Sequence, residues 1–352
     1  MMPATNGDDP ALHGEPPATA LLRLATGYQA SQALFVAARL GLADRLADGP
    51  RSVDDLAAAT GAHAPSLRRL LRALAAFGVF REVEDGRFAL APLGEHLRSG
   101  APGRMRALVL MYGDQDFWRT WGELEHCVRT GESAAKHLFG VDDHMARYAA
   151  DPRLGPVFNA GMTALTTSTA SAVVAACDLS RVGRVVDVGG GQGRLIAALL
   201  GANARLRATL FDLPSVVEGA AHLLDDAGVA DRCEVVGGDM FAAVPADGDV
   251  YVLSRVIHDW DDARATAILG NCRRAMNDGA RLVLVERVLP DRTEFAPSVQ
   301  PLVLSDLNML VRTGGRERTA AEFRLLLATA GLQLERIIPT DGSVSLIEAL
   351  PR

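Results

Sequence analysis

The sequence predicts an α/β protein: a Rossmann-like doubly wound sheet of seven strands, the last antiparallel, preceded by an all-helical, winged-helix module. Three observations carry this. From residue 178 onward, short runs rich in Val, Leu and Ile alternate with helical stretches, the signature of a parallel sheet covered on both faces. The first of these runs, Val185, Val186 and Val188, opens onto Gly189-Gly190-Gly191-Gln192-Gly193 and then a helix start, a strand, ligand loop and helix in sequence. Earlier, Ser52 to Leu97 reads as two capped helices followed by two strands around Asp85-Gly86.

In chain order, residues 1–17 are polar and Pro-rich, with no signal-peptide core, and read as a disordered tail of a cytoplasmic protein. Ala18 to about Leu46 is helical and apolar nearly all round, so it needs a second surface to cover it, and another copy of the chain is the natural candidate. In the winged helix (the module spans 18–104), Ser52 caps Val53 to Thr60, Gly61 ends it, and Ala64 to Phe77 follows. Residues 105–177 are helical and hold most of the Trp and Tyr of a chain with only 5% aromatics. An apolar pocket for a planar ligand needs such side chains, and Met111, Phe158 and Met162 are candidate lining residues. His126, His137 and His144 lack a spacing such as H-x-x-x-H and read as surface or packing residues. The catalytic domain, 178–352, then runs through strands at Arg207–Phe211, Cys233–Val236, Val250–Leu253 and Arg281–Val285, with helices at Ser215–Ala227, Ala263–Met276 and Ala320–Ala330. The strand pair Leu332–Ile338 and Val344–Leu350 closes it. Thr319 and Glu322 make a capping box.

Composition narrows the function. The net charge of -7 and a winged helix with nine Arg against eight acidic residues over 31–100 oppose phosphate-backbone binding, so no nucleic acid is expected. No apolar run approaches the roughly 18 residues of a membrane span, so no membrane partner is expected. The cysteines at 127, 177, 233 and 272 stand singly and suggest free thiols.

In an open parallel sheet the ligand sits at the carboxyl ends of the strands, so the polar residues there are the candidates. Gly189, Gly191 and Gly193 give G-x-G-x-G, whereas a dinucleotide fingerprint would need glycine where Arg194 stands. Asp187 before the loop suits a ligand with an amine-bearing end, such as the methionine part of S-adenosylmethionine. Asp212, before Leu213, can accept from ribose hydroxyls. After the third strand come Gly238-Asp239-Met240-Phe241, an acceptor for an adenine amino group and two apolar faces for its ring. The fourth strand ends in Ser254-Arg255 and continues to His258-Asp259-Trp260-Asp261-Asp262, the fifth ends at Glu286, and Glu317 lies in a Gly-rich loop before a capped helix.

These motifs, in this order, resemble the S-adenosylmethionine-dependent O-methyltransferases of the caffeic acid and hydroxyindole type, whose bacterial members tailor aromatic natural products, antibiotics among them. The likeness runs from about residue 20 to the C-terminus. It implies a homodimer formed through the winged-helix domain, and His258 as general base with Glu286 and Glu317 flanking its imidazole. Asp212 would hold the ribose, and Asp239, Met240 and Phe241 the adenine, of a cofactor that leaves as S-adenosylhomocysteine. Ser254 and Arg255 are assigned to the same cofactor site, although many members carry Lys where Ser254 stands. Asp259, Asn308 and Met309 are assigned to an aromatic small-molecule substrate. A neutral imidazole in reach of a phenol can take its proton as the oxygen attacks, so no metal is required. Some relatives use the same scaffold for hydroxylation, decarboxylation or cyclisation; the retained His and two Glu favour methyl transfer. A ligand-sensing winged-helix transcription factor is a further reading, opposed by the near-neutral module.

Overall fold

A computed structural model describes residues 15–141 and 144–352. The first fourteen positions of the expected tail lie outside the described residues. The chain forms two compact units, one of residues up to Asp114 with Thr293–Pro301, the other of Gln115–Arg292 with Leu302–Arg352.

In the first unit the long apolar helix spans Pro17–Arg39 and stops earlier than the pattern suggested. Gly41, at φ 62°, breaks it from a short turn of helix at Leu42–Arg45. Leu21, Leu22 and Leu24 remain 69%, 63% and 71% exposed, an apolar face with no cover among the described residues. Ser52 caps Val53–Thr60 by accepting from the Asp55 amide, and Gly61 ends that helix in the left-handed conformation. The helix Ala64–Ala76 and strands β1 (Phe80–Glu82) and β2 (Phe88–Leu90) complete the winged helix. Arg68 and Arg72 of the helix Ala64–Ala76 pair with Glu82 of β1. The helix Met105–Gly113 belongs to this unit, not with the pocket-forming helices where its residues suggested. The reason is packing: a Cβ at Gly113 would fall 2.3 Å from the Phe35 ring, and the Arg106 guanidinium donates to the Ala38 carbonyl.

The second unit is built on a sheet of β3 (Arg184–Val188), β4 (Arg207–Asp212), β5 (Cys233–Gly237), β6 (Val250–Ser254) and β7 (Arg281–Glu286). A short parallel pair, β8 (Val288–Leu289) with β9 (Arg318–Thr319), stands apart, and β10 (Leu332–Pro339) and β11 (Ser345–Pro351) close the main sheet. Its order is β10-β11-β7-β6-β3-β4-β5, with β11 antiparallel to both neighbours and the other pairings parallel. Alternate residues of the central strands feed two cores. Val185, Val250, Val252 and Val283 pack under the helices Leu154–Ala176 and Arg194–Ala202, while Val186, Tyr251, Leu253 and Leu282 pack under Asp262–Ala275 and Ala320–Thr329. The capping box of Thr319 and Glu322 is formed.

The stretch expected as one helix over 215–227 is two, Pro214–Val217 and Ala220–Asp226. The break falls at Gly219, where the Gln192 side chain approaches so closely that an added Cβ would lie 2.4 Å from its amide nitrogen. All four cysteines are free. Among the described residues, no helix is long and apolar enough to cross a membrane.

Candidate active site

The parallel strands bring the polar residues of the glycine loop and of the ends of β4, β5 and β6 to one edge, while His258, Glu286 and Glu317 stand outside the lining of the pocket found there. That pocket is lined by Asp187, Gly189, Gly191, Asp212, Leu213, Gly238, Asp239, Met240, Phe241, Ser254 and Arg255. Gly193 stands outside the lining; at φ 83° it caps the following helix, and its Cα faces Leu210. Gly190 permits the tightest approach in the loop, since a Cβ there would lie 2.5 Å from Leu210 and 2.6 Å from the Asp187 carboxylate.

The two acids at β3 and β4 have different surroundings. Asp212 accepts from the Gly191 amide at 2.8 Å and the Leu213 amide at 2.7 Å, which ties the glycine loop to the end of β4. Asp187 is fully buried with no hydrogen-bond partner on either oxygen among the described residues. Burial first, and then Asp212, raises it to about 7. A buried carboxylate with both oxygens open suits a ligand that brings a cation, as the amine of S-adenosylmethionine does. Asp239 accepts from the Phe241 amide at 2.8 Å, and Phe241 meets Trp260 edge to face. Arg255 follows β6 with φ 57°, an uncommon left-handed conformation for a residue with a side chain.

His258 sits on a single 3-10 turn, Ile257–Asp259, directly after β6. Its Nδ1 lies 3.1 Å from Glu317 Oε1 and 3.3 Å from Glu286 Oε2, and Nε2 is 3.9 Å from Asp259 Oδ1. His258 is 7% exposed, Glu286 and Glu317 at most 1%, so the trio is shielded from bulk solvent. Glu286 also accepts, through Oε1, from the amides of Val256 and Ile257, and so fixes the turn that carries the histidine. Glu317 accepts from Ser305 Oγ at 2.7 Å, and Arg287 lies 3.6 Å away. The loop bearing Glu317 comes close because Gly315 has no Cβ: one there would stand 2.1 Å from the His258 carbonyl oxygen, which accepts from the Arg316 amide. Arg318, 1% exposed, donates to the carbonyls of Ile257 and Trp260 and to Asp262, clamping the same turn.

The charges follow from this crowding. Burial opposes the imidazolium, but Glu286, Glu317 and Asp259 together outweigh it and raise His258 to about 9. Burial works against the Glu317 carboxylate too, yet His258, Ser305 and Arg287 hold it down at about 2, whereas burial pushes Glu286 up. Of the two carboxylates at Nδ1, Glu317 is the one held ionised, and Nδ1 donates its proton to it. Burial also raises Asp259 to about 7.

Of the expected substrate residues, Phe158, Met162 and Asp259 line the pocket. Met111, Asn308 and Met309 do not. Met111 is buried in the first unit, Asn308 accepts from Trp121 Nε1 at 3.0 Å, and Met309 is 8% exposed. Met145, Tyr148, Thr166, Gln192 and Trp260 line the pocket without having been singled out for it. The two aromatics were visible as the scarce rings of this chain, but helical spacing does not say which face borders a cavity. Tyr148 stacks on Phe158 at 4.3 Å and donates to Asp116. Asp116 also accepts from Arg147 and Arg312, and Arg312 donates to His144 Nε2, leaving that histidine neutral, lowered to about 3 by burial and then by Arg312. The pocket wall is therefore anchored by a buried ion-pair network. Asp116→Ala strands two arginines and is expected to cost about 3–5 kcal/mol, read as a lowered denaturation midpoint at unchanged slope.

Comparison with known proteins identifies the family. An O-methyltransferase domain matches residues 121–333 and an O-methyltransferase dimerisation domain residues 22–99. The chain is 46% identical over 336 residues to phenazine O-methyltransferase PhzM of Lysobacter antibioticus, covering 96% of this chain and 97% of that protein. The crystal structure of LaPhzM superposes with a TM-score of 0.91 at 46% identity, covering 96% of this chain and all of that one (100%). NcsB1, an O-methyltransferase from neocarzinostatin biosynthesis solved with S-adenosylmethionine and 2-hydroxy-5-methyl naphthoic acid, superposes with a TM-score of 0.80 at 35% identity over 96% of this chain and 100% of that one. A strand-edge pocket with an adenosine-type acid series, and a buried His held between two Glu beside it, thus stand in a chain that belongs to the S-adenosylmethionine-dependent O-methyltransferases.

Proposed function

We propose that the protein methylates a hydroxyl of a planar aromatic small molecule of secondary metabolism, with His258 as the general base and no metal in the chemical step. The observation that carries this reading is the placement of both carboxylates on Nδ1, which leaves Nε2 as the nitrogen free to accept a proton. When bound, S-adenosylmethionine supplies a methyl group on a positively charged sulfur. Asp187 is suited to its amine, Asp212 to its ribose hydroxyls, and Asp239 with Met240 and Phe241 to its adenine; Ser254 and Arg255 border the same site. Nε2 of His258 takes the acceptor's proton, and Glu317, held ionised, stabilises the imidazolium that results. Glu286 keeps the turn in place through the Val256 and Ile257 amides. Phe158 and Met162 contribute apolar surface for a flat ring. A phenol of pKa about 10 is well matched to a base near 9, the proton transfer being uphill by only about one unit. The relatives named above act on a phenazine and bind a naphthoic acid, which supports an aromatic acceptor.

The dimerisation domain and Leu21, Leu22 and Leu24, exposed among the described residues, support a homodimer through the N-terminal unit; a cytoplasmic location is part of the same proposal. Incubation with methyl-labelled S-adenosylmethionine and a panel of phenols, hydroxyphenazines and hydroxynaphthoates tests the activity. Label is expected in the oxygen-methylated product together with S-adenosylhomocysteine. Cofactor binding without label transfer to any acceptor would favour a non-methylating reaction on the same scaffold.

A further inference from the structure

We propose that His126, Glu132 and His137, with Glu123 beside them, form a binding site for a divalent transition cation, best matched by Zn²⁺ and separate from the methyl-transfer pocket. The helix Leu124–Thr130 ends at Gly131, which takes φ 74°, and Ser133 caps the next helix, Ala134–Phe139, by accepting from the Lys136 amide. This turn folds the second helix back on the first. His126 and His137 then stack with ring centroids 3.8 Å apart and planes 22° from parallel. His126 Nε2 is 3.1 Å from Glu132 Oε2, and His137 Nε2 is 3.8 Å from Glu123 Oε2. One ligand atom from each of His126, Glu132 and His137 lies within 4.8 Å of the others.

The donor set and its access both suit zinc. Two imidazoles and two carboxylates are nitrogen and oxygen ligands of the kind Zn²⁺ takes in tetrahedral sites, and their two negative charges balance its two positive ones. Ligands at about 2.0–2.2 Å from such an ion stand roughly 3.3–3.6 Å from one another, so the ligand atoms of His126, Glu132 and His137 close in by about 1 Å, the two stacked rings turning apart so that both nitrogens face the ion. They can do so because they are partly exposed, by 23% at His126, 36% at Glu132, 42% at His137 and 37% at Glu123. Lys136, 4.0 Å from the other oxygen of Glu132, is a competing cation that the metal would displace. The backbone beneath is firm: Cys127 and Ala134 pack in one cluster with Val311. Val311 shares its helix, Gln300–Arg312, with Ser305 and Asp306, which hold Glu317 by hydrogen bonds. Metal binding would therefore brace the support of that helix.

The test is Zn²⁺ titration of the chelator-treated full chain by calorimetry, with Co²⁺ as a visible-absorbing probe of tetrahedral nitrogen and oxygen coordination. One ion per chain is expected, with a raised melting temperature. Substituting partners outside the coordination sphere commonly weakens metal affinity by 10- to 100-fold, so loss of a direct ligand in His126→Ala or His137→Ala should weaken Zn²⁺ by at least about 100-fold and abolish the Co²⁺ bands. His222→Ala, an exposed histidine elsewhere, should bind as the parent does. The proposal is overturned if the parent does not bind Zn²⁺ in the micromolar range, or if it and both variants bind alike. Loss of binding in His258→Ala with retention in His137→Ala would overturn it too, by placing the ion at the buried trio.

Discussion

His258→Ala should lower kcat by about 10²- to 10⁴-fold, the range a positioned general base supplies, while leaving S-adenosylmethionine affinity nearly unchanged. The separation follows from geometry. The acid series that suits the cofactor lies at the ends of β3, β4 and β5, and none of its acids bonds to the imidazole. His258→Gln, which keeps a polar side chain at the turn but cannot hold a proton at physiological pH, should lose a similar factor. Single-turnover rates with calorimetric cofactor affinities check both at once. Full turnover in either variant would remove His258 from the proton-transfer role.

The second large effect is on pH dependence. The base must be neutral to accept a proton, and His258 sits at about 9, so kcat/KM for a given phenol should climb with pH and level off only near that value. Glu317→Gln removes one of the carboxylates that raise it. The climbing limb should then move to lower pH, while the plateau falls because the imidazolium formed in the reaction loses its ionised partner. An ionising substrate would give a limb that does not move between the two proteins, so an unshifted limb in Glu317→Gln contradicts the assignment. Stability should respond to the same pairing. His258 is raised above its ordinary 6.5, so its contribution is complete below that pH and is lost as the pH climbs through about 9. Glu317 is depressed, so its contribution is complete above 4.5 and is lost as the pH falls through about 2. Denaturation midpoints of Glu317→Gln should therefore vary less than the parent's at both edges.

Much of the site was legible because a parallel sheet converts sequence order into a line of strand ends. Asp212, Gly238-Asp239 and Ser254 each terminate an apolar run, and β4, β5 and β6 carry them to one edge whatever lies between. Glu317 is different. Resemblance alone places it beside His258, since its own surroundings, Gly314-Gly315-Arg316 and Arg318, give only a Gly-rich loop before a capped helix. Its burial depends on Gly315 meeting the His258 carbonyl and on Arg318 turning inward, contacts across some 60 positions of chain. The helical wall was the least legible. Met111, Asn308 and Met309 have the right chemistry, but a helix buries apolar side chains on whichever face meets a neighbour, and periodicity does not name the neighbour. His126 and His137 show the same limit from the other side. Ligand spacing along one helix was absent, and a Gly131 turn brought the rings together across two helices.

By itself the sequence determined the α/β class, the winged helix, the cofactor loop and the acids and histidine that punctuate the strands, because each depends on local periodicity, turn chemistry or position at a strand end. Tertiary structure alone decided the charge states at the histidine, the identity of the pocket wall and the assembly of the His126–His137 cluster. All three depend on distances between residues far apart in the chain, and electrostatic and packing energies at a few ångströms are set by those distances and by burial.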